Sequence, residues 1–319
     1  TGGGENHYSL ERALSAASDT DDSVTVDLSN LDETELDEAF TQPSNPSGDP
    51  NGLTSGAANL RQPGSAIPAA TIDGNDEEIY YPVQSGETLF DAPEGTEFLN
   101  VNLNGDSYVV DGSATVPGTA VGIDEQDVRI NGSTFNNFGE GGNAIIDFTA
   151  NIGGSNPVVI DDATISSVSS GATGIDATNG ITNIGAGDSS ERVVINNSAI
   201  DTSAGSGTGI DANVGRGTLE IKDNTNSNED AINAGGVGVA INASDTSADL
   251  AVDNNGIVAP SGSDGLDLTF GANSGTTYDQ SFSFEDNAVD SGGGNNGIDI
   301  DVNGSDFDYG NSPTNNLNI

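Results

Sequence analysis

A phrase of about eight residues recurs along this chain and constrains its fold more than any other feature. Each copy has two apolar residues separated by one residue, then a corner of Asn, Asp or Gly, then another apolar residue, as in residues 193–200. The second apolar residue of the copies is Ile130, Ile160, Ile195, Ile221, Val252 and Phe284. The steps between these positions are 30, 35, 26, 31 and 32 residues. A slightly elastic repeat of this length is typical of a solenoid, and the alternating β-branched residues indicate strands.

A second phrase recurs with the same period as the first. It consists of Gly, an apolar residue and usually Asp, and it begins 13 to 17 residues after the second apolar residue of the first phrase. Its glycines are Gly174, Gly209, Gly238, Gly265 and Gly297. Each coil therefore contains at least two short strands. We expect a third run in places, such as residues 181–184, and insertions between strands, such as residues 223–236.

Short strands separated by Asn, Asp and Gly corners predict an all-β protein, a single right-handed parallel β-helix of about eight coils. In such a fold each coil buries a few apolar side chains, and the next coil repeats them about 4.8 Å away. An ordinary β-sandwich also has short strands at regular spacing. Two phrases that stay in step over five coils favour the β-helix.

The N-terminal segment predicts a short capping helix. The residues on its apolar face are Leu10, Ala13, Leu14 and Ala17. An alternating strand follows at residues 23–28. Because the first coil of a solenoid exposes strand edges and core, a helix lying across that end would cover both. The expected segments are the capping helix and first strand (1–30), an excursion rich in Pro, Gly and Ser (31–75) and the parallel β-helix (76–319).

This opening resembles extracellular right-handed parallel β-helix proteins with a Ser-Leu-Arg-Glu-Ala-type cap. Their pattern is Ser-Leu-(Arg/Glu)-x-Ala-(Leu/Ile)-x-x-Ala, then a polar turn and a strand. It corresponds here to residues 9–17, 19–22 and 24–28, with Arg and Glu exchanged and Tyr8 in place of a frequent Cys. The later phrases are similar to the repeat of pectate-lyase-like folds. The resemblance implies a secreted or surface-displayed β-helix and assigns no catalytic residue.

The charge of the chain excludes several classes of function. Its 319 residues include 51 acidic and 6 basic side chains, which gives a net charge of −45. General nucleic-acid binding needs Lys and Arg at the phosphates, and an anionic membrane surface would repel this chain. Such acidity is typical of proteins from strongly saline media, or of secreted proteins that carry bound calcium. The chain has no Cys, so disulfides and thiolate metal sites are excluded.

The sequence lacks both a transmembrane segment and methionine. No run of 18 apolar residues predicts a transmembrane helix. The chain has no Met and opens at Thr1, so we expect a processed N terminus after removal of a signal peptide. The resemblance to extracellular β-helix proteins implies the predicted location, which is extracellular, either secreted or on the cell surface.

The acids of the second phrase are the candidate metal site. The aspartates that occupy this position are Asp176, Asp211, Asp267 and Asp299. Stacked in register, neighbouring carboxylates would repel one another, and Ca²⁺, which prefers oxygen ligands, would relieve that repulsion. The alternative is an acidic face that solvent and salt screen, with no specific site. Calcium is the only cofactor that the sequence suggests.

Carbohydrate chemistry is the candidate enzymatic function. Lyases of this fold use an Arg or Lys base, and glycoside hydrolases use paired carboxylates. The only basic residues in the regular coils are Arg129, Arg192, Arg216 and Lys222. The phrases typical of galacturonases are missing, and the negative charge would repel acidic polysaccharides. We therefore assign no catalytic or cofactor-binding residue and expect a non-enzymatic protein, with a polysaccharide lyase, hydrolase or binding module as the alternative.

The sequence also suggests glycosylation and self-assembly. The acceptor pattern Asn-x-Ser occurs at Asn131, Asn196, Asn242 and Asn303, although Asn is so frequent that chance matches are expected. No C-terminal cap is visible, and an open strand edge invites pairing. The partners we expect are therefore further copies of this chain or a surface polysaccharide. The predicted function is a structural or adhesive subunit of a cell-surface fibre, sheath or adhesin.

Overall fold

In the computed structural model the chain is a parallel β-solenoid, as the two phrases predict. The structure describes residues 24–27, 70–74, 78–80, 88–92, 94–104, 108–110, 113–115, 118–139, 142–150, 152, 156–181, 192–225, 231–271, 281–293, 296–303 and 317–318. Within these ranges there is no α-helix. The predicted capping helix over residues 9–18 lies outside them, and the right-handed sense of the solenoid stays a prediction.

Three ladders of parallel strands form the faces of the solenoid. Face 1 contains Val24–Asp27, Ala70–Asp73, Glu97–Leu99, Arg129–Asn131, Val158–Asp161, Arg192–Asn196, the second halves of Ile210–Lys222 and Val239–Asp253, Ser281–Glu285 and Leu317–Asn318. Face 2 contains Glu78–Tyr80, Asn102–Asn104, Thr134–Asn136, Thr164–Ser166, Ala199–Thr202, Ile232–Ala234, Gly256–Val258 and Ala288–Asp290. Face 3 contains Thr88–Ala92, Thr119–Ile123, Ala144–Phe148, Thr173–Ile181, the first halves of Ile210–Lys222 and Val239–Asp253, Leu266–Gly271 and Ile298–Asn303.

Two long strands join faces 1 and 3 into one sheet of 16 strands. Ile210–Lys222 and Val239–Asp253 each run along face 3 and continue onto face 1, with an irregularity in their pairing between Val214 and Arg216. One antiparallel pair, Tyr108–Val110 with Ser113–Thr115, lies in the chain between the face 2 strand Asn102–Asn104 and the face 3 strand Thr119–Ile123.

The core is a set of columns, one for each face. In a single coil Ile160, Ile165 and Ile175 point inward from faces 1, 2 and 3, and all three are fully buried. The repeated apolar residues of the first phrase form the face 1 column, from Ile130 to Phe284. Like residues therefore pack on like residues along the axis, which allows a chain with only 33% hydrophobic residues to build a continuous core.

The structure corrects the expected layout of the coils. The third strand lies directly after the corner of the first phrase, as in Thr164–Ser166, and Ile181 instead ends a face 3 strand. The expected insertion at 223–236 contains the face 2 strand Ile232–Ala234. Strand Ala70–Asp73, inside the expected 31–75 excursion, already belongs to face 1. Five turns between residues 129 and 271 form the regular body, which differs slightly from the expected eight coils, and further strands extend the ladders at both ends.

The corner between faces 1 and 2 explains the Asn and Asp residues of the first phrase. The corner residues with a left-handed backbone, φ from +51° to +56°, are Asp162, Asn197, Asp223, Asn254 and Asp286. Asn and Asp adopt this conformation more readily than other residues with a side chain. Their backbone N–H groups donate to the next coil, for example from Asn254 to the carbonyl of Glu285 at 2.8 Å. Each corner therefore continues the ladder around the bend.

An asparagine ladder lies inside this corner. Asn224 and Asn255 are buried, and Asn224 Nδ2 donates to Asn255 Oδ1 at 2.8 Å. Asn255 Nδ2 in turn donates to Asn287 Oδ1 at 2.9 Å. Each amide also reaches the backbone, as Asn255 Nδ2 donates to the Ile221 carbonyl at 2.9 Å. The column continues with Ser198, whose backbone N–H donates to Asn224 Oδ1 at 2.8 Å, so these buried polar groups stabilise one another across coils.

A glycine column marks the start of face 3. A Cβ on Gly209 would lie 2.4 Å from the Gly238 carbonyl oxygen and 2.7 Å from Ile232 Cγ2. A Cβ on Gly238 would meet Gly265 and Ile257 at 2.4 Å each. The glycine that opens the second phrase is therefore required by the next coil, which leaves no room for a side chain.

Candidate functional site

The acids of the second phrase stand in one column on the outer side of face 3. Asp176 is in register with Asp211, and Asp267 is in register with Asp299. The two pairs are separated by Ala240, which pairs with Asp211 on one side and Asp267 on the other. The structure therefore brings the four predicted aspartates into one column, as two neighbouring pairs rather than a continuous run.

One member of this column was missed in the sequence. Asp147 pairs with Asp176 on the side opposite Asp211, so three carboxylates occupy consecutive coils. It escaped the pattern because Ile145 stands where the phrase has Gly. The signal that could have found Asp147 is an acidic residue two positions after a buried apolar residue, at the place in the repeat that Asp176 occupies in the next coil.

Three of the aspartates in this column have a raised pKa. Burial raises the pKa of Asp147, and the neighbouring charge of Asp176 adds to this effect. Burial likewise raises the pKa of Asp211, with Asp176 and Asp267 adding to it. Burial and then Asp264, Asp299 and Asp301 raise the pKa of Asp267. Like charges about one strand spacing apart are therefore unfavourable on this face at neutral pH.

Asp176 forms local hydrogen bonds with Thr178. Its Oδ1 accepts from the backbone N–H of Thr178 at 2.9 Å and from Thr178 Oγ1 at 2.6 Å. In the part of the chain that the structure describes, no group of three or more His, Cys, Asp or Glu side chains is arranged to hold a metal ion. A column of parallel outward carboxylates does not converge on one point, which is what a calcium site with six to eight oxygen ligands requires.

The basic residues gather on face 1. Arg192 forms an ion pair with Glu220 at 2.7 Å, and Lys222 lies 3.4 Å from the same carboxylate. Arg129 lies 3.6 Å from Asp127 and is half exposed. Burial acts to raise the pKa of Glu220, but the hydrogen bonds and charges of Arg192 and Lys222 together outweigh it and lower the pKa. Arg216 is part of the strand Ile210–Lys222.

The acceptor asparagines differ in accessibility. Asn131 and Asn242 are exposed, whereas Asn196, two coils from Asn131 in the same column, is half-buried and its Oδ1 is covered. The serines that complete the patterns at Asn131 and Asn196 are Ser133 and Ser198, and both are buried. The side chain of Asn303 lies outside the described residues.

The coil of residues 281–303 differs from the interior coils in its exposure. Ile298 is 41% exposed, although Leu266, its partner in the preceding coil, is fully buried. Within the described residues no strand pairs with the far side of Ala288–Asp290 or of Ile298–Asn303. Faces 2 and 3 thus present backbone hydrogen-bonding groups and one large apolar side chain at this end.

Comparisons with protein-family models, with curated proteins and with solved structures found no match to this chain. Among the described residues, no helix is long and apolar enough to cross a membrane.

Proposed function

We propose that this chain is a non-catalytic structural or adhesive β-helix, secreted or held at the cell surface, and that it serves as a subunit of a fibre, sheath or adhesin. The observation that carries the proposal is the coil of residues 281–303. Its strand edges on faces 2 and 3 and the exposed Ile298 form a surface on which a further coil would continue the ladders. The proposed resemblance to pectate-lyase-like β-helices with an N-terminal cap agrees with an extracellular location.

The exterior of the solenoid supports a structural role. Its outward positions on faces 2 and 3 hold mainly short polar residues in register, such as Ser166 beside Asn136 and Asn233 beside Asp201. Such columns make a regular surface along the axis. A polysaccharide-active enzyme or binding module is the alternative, and it requires a cleft with a carboxylate pair and aromatic platforms.

Calcium and glycans belong to this proposal as surface components. Because the acids of face 3 form a column rather than a converging group, we propose that Ca²⁺ acts there as a counter-ion that reduces repulsion between Asp176 and Asp211. Asn242, which is exposed on face 3, is the acceptor site that we expect to carry a glycan. The intact mass of the native protein tests this, since a mass equal to that of the bare chain rules out glycans.

Electron microscopy tests the assembly. We expect wild-type protein in high salt to form filaments whose axis is the solenoid axis. Ca²⁺ should promote them and a chelator should shorten them. The variant Ile298→Asp places a charge on this surface and should abolish long filaments.

The matched control is Val168→Asp, because Val168 is also an exposed large apolar residue, at 68%, but lies outside that surface. Filaments in Ile298→Asp equal to those of Val168→Asp would contradict end-to-end stacking. Isolated rods of wild-type protein under every condition would contradict the fibre, and polysaccharide binding and cleavage would then be assayed.

A further inference from the structure

Face 1 carries an outward column whose chemistry differs from the rest of the acidic surface. In consecutive coils this column reads Glu97, Arg129, Val159, Val194, Glu220 and Ala251. Val159 and Val194 are partly exposed, and they are the only adjacent pair of outward valines in the described strands. Two β-branched apolar side chains therefore face solvent between a cation and an anion.

The order of these residues is self-complementary. Consider a two-fold axis that runs along the strands and passes between the coils of Val159 and Val194. A second copy placed by this axis presents Val194 to Val159 and Glu220 to Arg129. Each contact then occurs twice, as in any isologous dimer. Arg129 is 51% exposed, so its guanidinium can reach a partner molecule. There it would meet Glu220, which is 17% exposed and already pairs with Arg192 and Lys222 of its own chain.

The flanking column agrees with the same axis. Its consecutive residues are Asn131, Asp161, Asn196 and Lys222. The axis places Asn131 opposite Lys222 and Asp161 opposite Asn196, so no two like charges meet. On face 3, by contrast, any comparable pairing of the Asp147, Asp176 and Asp211 coils brings carboxylates together.

We infer that face 1 is the interface of a homodimer in which two solenoids pack antiparallel, with Val159 opposite Val194 and Arg129 opposite Glu220. The partner is a second copy of this chain, and charge complementarity across the axis selects it. This lateral contact is independent of the end-to-end stacking proposed above. Six coils at about 4.8 Å and strands of three to five residues give roughly 400 Å² per copy, below the usual 800 Å², which predicts a weak dimer.

Salt should promote this dimer. Two copies of charge −45 repel each other strongly where the screening length is about 30 Å, near 0.01 M salt, and only weakly where it is about 3 Å, near 1 M. Sedimentation equilibrium of the Ile298→Asp variant, which should not stack end to end, between about 5 and 500 µM should therefore show monomer in low salt and concentration-dependent dimer in high salt. Monomer at every concentration in 1 M salt would overturn the inference.

Single substitutions locate the interface. Val159→Asp and Val194→Asp should each weaken the dimer by at least about tenfold in Kd. Thr164→Asp is the matched control, because Thr164 is an exposed strand residue of the same coil on face 2. Thermal melting of each variant checks that the solenoid remains folded. Equal weakening by Thr164→Asp, or wild-type affinity of both valine variants, would place the contact elsewhere.

A double-mutant cycle tests the register. Within one chain the coils of Arg129 and Glu220 are three steps apart, roughly 14 Å, so their direct coupling is negligible. Arg129→Glu and Glu220→Arg should each weaken the dimer, and the double variant should recover at least about fivefold in Kd over the product of the single effects. The cost of Glu220→Arg within its own chain cancels in this cycle. A coupling of zero would exclude the proposed axis.

Discussion

The asparagine ladder inside the corner and the aspartate column on face 3 are built from the same repeat. Both place like side chains in register one coil apart, and Asn and Asp have nearly the same shape. In the ladder each amide both donates and accepts hydrogen bonds across coils, so Asn224, Asn255 and Asn287 satisfy one another. In the column the carboxylates of Asp147, Asp176 and Asp211 have no donor for one another and interact only through their like charges. The pKa of Asp147 and of Asp211 is raised. Stacking in a solenoid therefore stabilises groups that are both donors and acceptors, and penalises groups that are only charged.

The largest expected effect comes from converting the ladder into the column. Asn255→Asp keeps the shape but removes the donors to Asn287 Oδ1 and the Ile221 carbonyl, and it buries a carboxylate. We expect it to lower the free energy of unfolding by about 3–5 kcal/mol. Urea unfolding at neutral pH measures this.

The neighbouring residue supplies the control for that variant. Asn254→Asp changes the same atoms at an exposed position, where Asn254 Nδ2 donates to Asp223 Oδ1 at 2.7 Å. Its cost should remain near 1 kcal/mol, because water hydrates the new charge. If both variants cost the same, burial is not what distinguishes the ladder from the column.

A smaller effect is expected from closing the gap in the column. Ala240→Asp would join Asp211 to Asp267 and give an unbroken run of carboxylates. We expect a loss of roughly 0.2–1 kcal/mol for each new like-charge neighbour in low salt. The loss should shrink in 1 M salt, where charges are screened. A loss that salt leaves unchanged would indicate a steric cause.

The smallest effect is the pH dependence of the column. Asp147, Asp211 and Asp267 have a raised pKa in the folded chain, so the folded state holds protons that the unfolded state releases. Their protonation therefore stabilises the fold, and this contribution is lost as pH rises through the folded pKa values. The triple variant with Asn at these positions should be more stable than wild type at pH 7, and the difference should vanish near pH 3. If the stability difference between the triple variant and wild type grew as the pH fell, the pKa values of these aspartates would not be raised in the folded chain.

The sequence predicted the parts of the fold that repeat strictly. The apolar column from Ile130 to Phe284 and the glycines at 174, 209, 238 and 265 were found because the next coil leaves little choice of side chain. Face 2 strands were not separated from the corner, since three residues such as Thr164–Ser166 show too few alternations to be recognised. Asp147 was missed because its column constrains only charge. The self-complementary order on face 1 depends on register across six coils, which the strand pairing supplies.

The glycine column has a consequence for how such a chain changes in length. Each of these glycines is fixed by the carbonyl of the glycine one coil further on, not by anything specific to its position along the axis. A whole coil can therefore be duplicated or deleted and the contact restored at the new junction, whereas a change of a few residues inside a strand breaks it. Rods of this kind lengthen by whole coils of about 4.8 Å each. Their length therefore varies by complete repeats and not by single residues.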